Sequence, residues 1–294
     1  MESIKFIQTP KGKLEVYTAG DSASLALCLH GFPEHAVSWR YQVPQLIDLG
    51  YEVWVPNLRG YGRSTSSELL TDYHMDHLLD DVSALIKATG KEKITILAHD
   101  WGALIAWFFA QRQIKPIDKM ILLGIYHPSL IYQLSGWRQL LRSATYIPYL
   151  LSPAVELVSL IAHQRYYRYQ HYWLARRVST WFGVDSKASE IYLKNLFRPG
   201  AISAMTNYYR ANLDRALWSR ESVTRPVNIP VLLINGAKDP WIGSELQQSN
   251  LHSVPLLETV VIDEAKHWPH LEKPECVNGI ISDWLVNATR SQVA

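Results

Sequence analysis

The chain is poor in cysteine, with two in 294 residues. Cys28 stands inside an apolar run and Cys276 lies near the C-terminus, so the sequence indicates neither a disulfide framework nor a zinc site. Residues 1–6 lack the charged start and apolar core of a signal peptide. Because scarce, scattered cysteines fit a reducing compartment, we expect a cytoplasmic protein.

Long apolar runs and an excess of charge of one sign are also missing. No run approaches the about 20 apolar residues that a bilayer-spanning helix needs. The 29 basic and 27 acidic side chains leave a formal net charge of +2. The sequence therefore predicts neither a membrane nor a nucleic acid as a partner, and it gives no indication of the oligomeric state.

Short apolar runs, rich in β-branched residues, alternate with helix-like stretches along much of the chain. The predicted buried strands are Leu25–Leu29, Glu52–Pro56, Lys93–Ala98, Lys119–Leu123, Pro230–Asn235 and Leu257–Ile262. Helices are predicted over Met75–Thr89, closed by Gly90, and over Pro274–Asn287. This alternation predicts an α/β fold with a mostly parallel sheet.

The alternation stops between residues 128 and 226, where the sequence becomes helical in period and rich in aromatic residues. Eleven of the 16 tyrosines lie between Tyr126 and Tyr209. So many rings must be buried against something, most simply against the top of the sheet. We therefore predict a helical cap over residues 128–226, inserted into a core domain made of residues 1–127 and 227–294.

A candidate nucleophile follows the third predicted buried strand. Residues 94–103 run from that strand through a sharp turn into a helix, with Asp100 in the turn. Ala98 and Gly102 supply the small residues that a nucleophile elbow requires two positions before and after the reactive side chain. The competing interpretation is that Asp100 merely caps the helix, a common role for aspartate.

An acid and a base are expected at the ends of the last two strands. Asp239 follows the strand that ends near Asn235, and His267 follows the strand that ends at Ile262. Taken singly, Asp239 could be a turn residue and His267 one of 11 ordinary histidines. Together with Asp100 they stand in the chain order expected of such a site, with the nucleophile first, then the acid and then the histidine.

The turn over residues 30–34 follows the strand Leu25–Leu29 directly. It can aim the backbone amide of Phe32 at the space above Asp100, with the amide of Trp101 as its partner. These two amides are the predicted oxyanion hole.

Five motifs stand out along the chain: HGFPE at 30–34, NLRGYGRS at 57–64, AHDWGA at 98–103, GAKDP at 236–240 and the pair His267-Trp268. Together they resemble the epoxide hydrolase branch of the α/β-hydrolase superfamily, and the resemblance covers nearly the whole chain. The resemblance implies a mostly parallel eight-stranded sheet flanked by helices, with a helical lid. It implies Asp100 as nucleophile, His267 as base and Asp239 as the residue that orients His267.

An aspartate nucleophile suits this chemistry. A carboxylate can attack a saturated carbon and form an alkyl ester that water later hydrolyses, whereas a serine would form a stable ether. The implied reaction opens a small hydrophobic epoxide with water to a vicinal diol and requires no metal or organic cofactor. Phe32, Trp101 and Trp268 are the expected substrate contacts.

Epoxide opening also needs an acid near the departing oxygen. Residues 197–200 and 207–210 resemble the family's cap motif, which implies Tyr209 as a ring-opening donor. Tyr146 is the best match to the second donor, although Tyr149 or His163 could take that role. Any one of these tyrosines could instead serve only in packing.

Two other functions compete with this hypothesis. A haloalkane dehalogenase would share the fold and the Asp100-Trp101 pair, but Phe32 and the Tyr209 motif favour an epoxide. A sensor that binds a small apolar ligand on a hydrolase scaffold would have no need of nucleophile, base, orienting acid and oxyanion turn together.

Overall fold

The computed structural model describes residues 2–132, 147–157, 186–242 and 252–290. In these ranges eight strands form one sheet in the order β1-β2-β4-β3-β5-β6-β7-β8. The strands are β1 (Ser3–Thr9), β2 (Gly12–Ala19), β3 (Ser24–Leu29), β4 (Tyr51–Pro56), β5 (Lys93–His99), β6 (Lys119–Leu123), β7 (Val231–Gly236) and β8 (Leu257–Ile262). From β4 to β8 neighbouring strands are parallel, and β2 pairs antiparallel with both β1 and β4. The predicted mostly parallel eight-stranded sheet is confirmed.

The central strands are buried on both faces, which explains their unbroken apolar sequences. Alternate residues of one strand enter different cores. Leu27 and Leu29 of β3 pack into a cluster on one face of the sheet, whereas Ala26 and Cys28 pack into the cluster on the other. The edge strand β1 is largely exposed and pairs antiparallel with β2 along its whole length.

Helices cover both faces of the sheet. The described helices are α1 (Val43–Asp48), α2 (Met75–Thr89), α3 (Trp101–Gln111), α4 (Ile147–Leu151), α5 (Ser186–Leu196), α6 (Ala201–Ala211), α7 (Arg220–Val223), α8 (Pro269–Glu272) and α9 (Pro274–Arg290). Helices α2 and α3 contribute to one core cluster, and α1 and α9 contribute to the other. Short 3₁₀ helices occur at Ala36–Trp39, Leu70–Tyr73 and Pro128–Tyr132.

Two helices match the sequence predictions closely. Helix α2 begins and ends as expected, and Gly90 closes it with φ +66°, the left-handed conformation that glycine adopts readily. Helix α9 runs three residues beyond the predicted end at Asn287. None of the helices in the described ranges combines the length and apolar character that crossing a bilayer requires.

The segment between β6 and β7 holds helices and no strand among its described residues. Its helix α6 packs on the core through Ala204, Met205 and Tyr208, which belong to the same cluster as α3. This contact places one face of α6 against the loops that follow the sheet. The proposed cap bounds at residues 128 and 226 stay a prediction.

Candidate active site

The turn between β5 and α3 has the strained geometry of a nucleophile elbow. Asp100 has φ +49° and ψ −117°, a conformation that non-glycine residues rarely adopt. Gly102 permits the close approach of β3, because a Cβ atom there would lie 2.5 Å from the carbonyl oxygen of Leu29. Asp100 is the residue before α3, yet its side chain makes no capping hydrogen bond. Helix capping therefore does not explain this aspartate.

The carboxylate of Asp100 has two different environments. Its Oδ1 accepts a hydrogen bond from the Phe32 amide at 2.8 Å. The turn can come this close because residue 31 is glycine; a Cβ there would lie 2.4 Å from the Cβ of Asp100. The other oxygen, Oδ2, lies 3.6 Å from Nε2 of His267. Since the side chain is 18% exposed, Oδ2 can meet a substrate.

His267 and Asp239 form a tightly held pair beside Asp100. Asp239 Oδ2 lies 2.7 Å from Nδ1 of His267. The Oδ1 atom of Asp239 accepts hydrogen bonds from the amides of Trp241 at 2.8 Å and Ile242 at 3.0 Å. These bonds fix the carboxylate, which in turn fixes the imidazole ring. The structure thus brings together the three residues that the sequence proposed from separate strand ends.

The two carboxylates set the charge of His267. Burial alone lowers the pKa of this imidazole, but the charge of Asp239, followed by the hydrogen bond and charge of Asp100, outweighs burial and raises the pKa to about 10. Burial alone raises the pKa of Asp239, but His267 and the two backbone amides hold it below its ordinary value. Both neighbouring carboxylates therefore favour the protonated form of His267.

Helix α6 presents two adjacent tyrosines with different surroundings. The hydroxyl of Tyr208 is buried and donates to the carbonyl oxygen of Arg59 at 2.7 Å. Tyr209 is half-buried, and its ring meets the rings of Trp101 at 5.0 Å and Phe32 at 5.5 Å in edge-on contacts. The Trp101 ring also meets the Tyr208 ring, at 5.4 Å, so the contact that distinguishes Tyr209 is the one with Phe32, whose amide holds the Asp100 carboxylate.

Comparison with known proteins decides the family. Residues 27–274 match the family described as the alpha/beta hydrolase fold. An AB hydrolase superfamily protein of Bacillus subtilis, YfhM, is 32% identical over 292 residues, 98% of this chain and 100% of its own. Mouse epoxide hydrolase 4 is 30% identical over 274 residues, 90% of this chain and 74% of its own. The chain belongs to the epoxide hydrolases of the α/β-hydrolase superfamily.

A solved structure of this family is also similar over nearly the full length. It is a variant of the epoxide hydrolase from Bacillus megaterium in complex with its naphthyloxy-propanediol product. The two chains are 26% identical with a TM-score of 0.79, covering 96% of this chain and 99% of the other. The resemblance that the five motifs predicted is therefore confirmed.

The remaining predicted residues of this epoxide hydrolase site occupy varied positions. Tyr149 lies in α4 and is 46% exposed, whereas Tyr146 and His163 lie outside the described residues. Trp268 is buried and packs edge-on against the rings of His267 at 5.0 Å and Trp241 at 5.3 Å. The substrate contacts assigned to Trp101, Trp268 and Phe32 stay predictions, as does the second proton donor.

A buried cluster formed by Glu34, His99 and His270 has no role among the sequence-based predictions. All three are 0% exposed. Oε1 of Glu34 lies 2.7 Å from Nδ1 of His99 and 4.0 Å from Nε2 of His270. A signal was present, because Glu34 ends the HGFPE motif and His99 immediately precedes the nucleophile, but neither motif indicates that the two side chains meet.

The spacing of this cluster also raises the question of a metal ion. One ligand atom from each of the three residues lies within 4.8 Å of the others. The 2.7 Å contact between Glu34 and His99, however, is that of a direct ion pair. We therefore interpret the cluster as a buried charge pair with His270 beside it.

Proposed function

We propose that this chain hydrolyses epoxides to vicinal diols through a hydroxyalkyl ester on Asp100. The observation that carries the proposal is the environment of the Asp100 carboxylate, with Oδ1 held by the Phe32 amide and Oδ2 beside His267. A carboxylate fixed by one oxygen can attack with the other, and the base needed to regenerate it is already in place.

In the first step Oδ2 of Asp100 attacks a ring carbon of the epoxide. A bond forms between Oδ2 and carbon while the bond between that carbon and the epoxide oxygen breaks. The departing oxygen takes up a proton from the hydroxyl of Tyr209, because an alkoxide is a poor leaving group at neutral pH. The product is a hydroxyalkyl ester of Asp100, with Oδ1 as its carbonyl oxygen.

Ester formation changes the electrostatics of His267. The charge of Asp100 is one of the causes that raise the pKa of this imidazole, and the ester is neutral. The pKa of His267 consequently falls when the ester forms, which favours the neutral base. The proton that His267 releases makes up for the proton that Tyr209 has given to the substrate, so that the tyrosine hydroxyl is restored.

In the second step neutral His267 takes a proton from water, and the hydroxide attacks the carboxyl carbon of the ester. Negative charge develops on Oδ1, where the Phe32 amide donates a hydrogen bond. The amide of Trp101, in the first turn of α3 where backbone N–H groups have no partner within the helix, is the proposed second donor. When the adduct collapses, the alkoxide takes the proton of the added hydroxyl, and the diol and the Asp100 carboxylate are restored.

Two observations favour an epoxide over the alternative functions. A halide leaving group needs no acid, yet Tyr209 lies against the aromatic residues that flank Asp100. A ligand sensor needs no oriented base, yet Asp239 and two backbone amides fix His267. The aromatic surroundings of Asp100 support a small hydrophobic epoxide and water as the reactants.

The test is turnover of styrene oxide and of a terminal bromoalkane in parallel, with diol and halide release as readouts and Asp100→Ala as the blank. We expect diol without halide, and none in the blank. Release of halide without diol would mean that the protein is a dehalogenase, and no turnover of either substrate would favour a ligand sensor. A single turnover in ¹⁸O-labelled water should place the label in Asp100 and not in the diol; label in the first diol would contradict the ester.

We also propose that the protein works in the cytoplasm. The two cysteines support this, since both are free thiols and the one at position 276 is exposed. Cell fractionation with an antibody against the native protein is the direct measurement, and recovery from an oxidising compartment would contradict it.

A further inference from the structure

Glu34 lies where the oxyanion turn passes into the following 3₁₀ helix, and its carboxylate is buried. Its Oε2 accepts a hydrogen bond from the Gly31 amide at 2.9 Å and another from the Ser38 hydroxyl at 3.3 Å. Gly31 is the neighbour of Phe32, whose amide holds Oδ1 of Asp100. One oxygen of Glu34 thus fixes the turn that carries the oxyanion donor.

The other oxygen of Glu34 reaches the nucleophile strand and the base. Oε1 contacts Nδ1 of His99 at 2.7 Å, and Nε2 of His99 lies 2.8 Å from the carbonyl oxygen of His267. A carbonyl oxygen only accepts hydrogen bonds, so Nε2 of His99 is the donor. His99 is also joined through the backbone to Asp100. The pair therefore contacts the oxyanion turn, the nucleophile elbow and the loop of the base.

The charge of Glu34 follows from its surroundings. Burial alone raises the pKa of Glu34, but the charge of His99 and the hydrogen bonds of Glu34, one of them from the Gly31 amide, hold that pKa far below the ordinary value. The buried side chain that joins these elements is therefore a carboxylate.

We infer that the Glu34–His99 ion pair is a positioning unit, which holds the Phe32 amide, the Asp100 turn and the His267 loop at their working separations. The inference rests on the proposed function. Neither residue touches the reacting atoms, so each acts through the groups it holds. A buried carboxylate is costly to desolvate, which makes packing alone a poor explanation for Glu34.

The experiment compares Glu34→Ala with Glu34→Gln, using Glu15→Gln as the matched control. Glu15 is also a buried carboxylate, and it is held by Asn57 and Arg63, to which the proposed mechanism gives no role. The measurements are single-turnover rate constants for ester formation and ester hydrolysis with styrene oxide, the intact mass of the protein, and thermal unfolding.

Glutamine can preserve the geometry without the charge. Its oxygen can accept from the Gly31 amide and its NH₂ group can donate to a neutral His99, which keeps its proton on Nε2 for the His267 carbonyl. We expect Glu34→Gln to keep most of the hydrolysis rate. Glu34→Ala removes both contacts, and a displacement of about 1 Å should slow ester hydrolysis by about 10–100-fold. Ester should then accumulate, so that kcat and KM fall together, whereas Glu15→Gln should change only stability.

Three outcomes would overturn the inference. Glu34→Ala could hydrolyse the ester at the rate of the control, Glu34→Gln could be as slow as Glu34→Ala, or elemental analysis could find a stoichiometric metal that Glu34→Ala loses. Should Glu34→Ala not fold, His99→Gln must show the same accumulation of ester, and native-like hydrolysis there would contradict the proposal. If the native protein itself forms neither ester nor diol, the proposed function fails instead.

Discussion

The carboxyl ends of the strands and the segment between β6 and β7 contribute to the same site in different ways. At the carboxyl ends, the nucleophile, acid and base follow paired strands, and hydrogen bonds of 2.7–3.0 Å hold them in place. The intervening segment meets the core through side chains such as Tyr208, Arg198 and Asn195, which bond to backbone groups of residues 59–62. In the proposed mechanism, the groups at the carboxyl ends of the strands form and hydrolyse the ester, and Tyr209 of helix α6 donates the proton.

The largest effect should come from replacing His267, the proposed catalytic base. We expect His267→Gln to form the ester but not hydrolyse it, lowering steady-state diol formation by on the order of 10⁴-fold or more. Intact mass spectrometry after exposure to styrene oxide should show a gain of one substrate mass. An unmodified protein with residual diol formation would mean that His267 is not the base.

Adding a single methyl group at the oxyanion turn should also cause a large loss of activity. The added methyl group of Gly31→Ala would meet the Cβ of Asp100 at 2.4 Å, so either the turn or the nucleophile must move. We expect about a 100-fold loss of kcat/KM for the epoxide, because about 1 Å of misplacement suffices for it. Gly50→Ala, where a Cβ meets nothing within 4 Å, is the control that should lose stability only, because of its φ of +84°. Equal activity of the two variants would contradict this account of the turn.

Replacing the proposed proton donor on helix α6 should have a smaller effect, confined to the rate of ester formation. Tyr209→Phe removes one proton donor, so ester formation should slow by about 10–100-fold, at the low end of general acid catalysis because a second donor is expected. Ester should not accumulate, in contrast to His267→Gln. The adjacent Tyr208→Phe is the matched control: it loses a hydrogen bond to Arg59 and about 1 kcal/mol of stability, with ester formation unchanged. If Tyr208→Phe were instead the slower variant, the donor would be misassigned.

The smallest effect concerns stability and pH. The pKa of His267 is raised to about 10 in the folded protein, above an unfolded value of about 6.5. Its contribution to stability is therefore fully present below about pH 6.5 and is lost as the pH rises through 10. Thermal unfolding of native protein and His267→Gln between pH 6 and 10 should show the difference in Tm shrinking with pH. A difference that grows with pH would have the wrong sign.

The sequence predicted the sheet and the order of Asp100, Asp239 and His267 because parallel strands bring their carboxyl ends to one edge. The sequence could not predict the contact of Glu34 with His99, because this contact depends on how the loops are placed. Hydrophobic periodicity carries no information on that placement. Tyr208 and Tyr209 are likewise neighbours in sequence, and only the docking of α6 shows that the Tyr208 hydroxyl donates to the carbonyl oxygen of Arg59 while the Tyr209 ring contacts Phe32. The bounds of the cap stay open for the same reason: a helical period marks helices but not the place where a domain begins.

The hydrogen bond from His99 to the carbonyl oxygen of His267 joins positions 168 residues apart. Asp239 and His267 both come after the long segment that separates β6 from β7. During synthesis on the ribosome, a chain that has emerged only as far as residue 238 carries the nucleophile without its acid or base. In the proposed mechanism, products that terminate before position 267 therefore lack the base that hydrolyses the ester on Asp100, and only chains that extend beyond β8 to His267 can turn over.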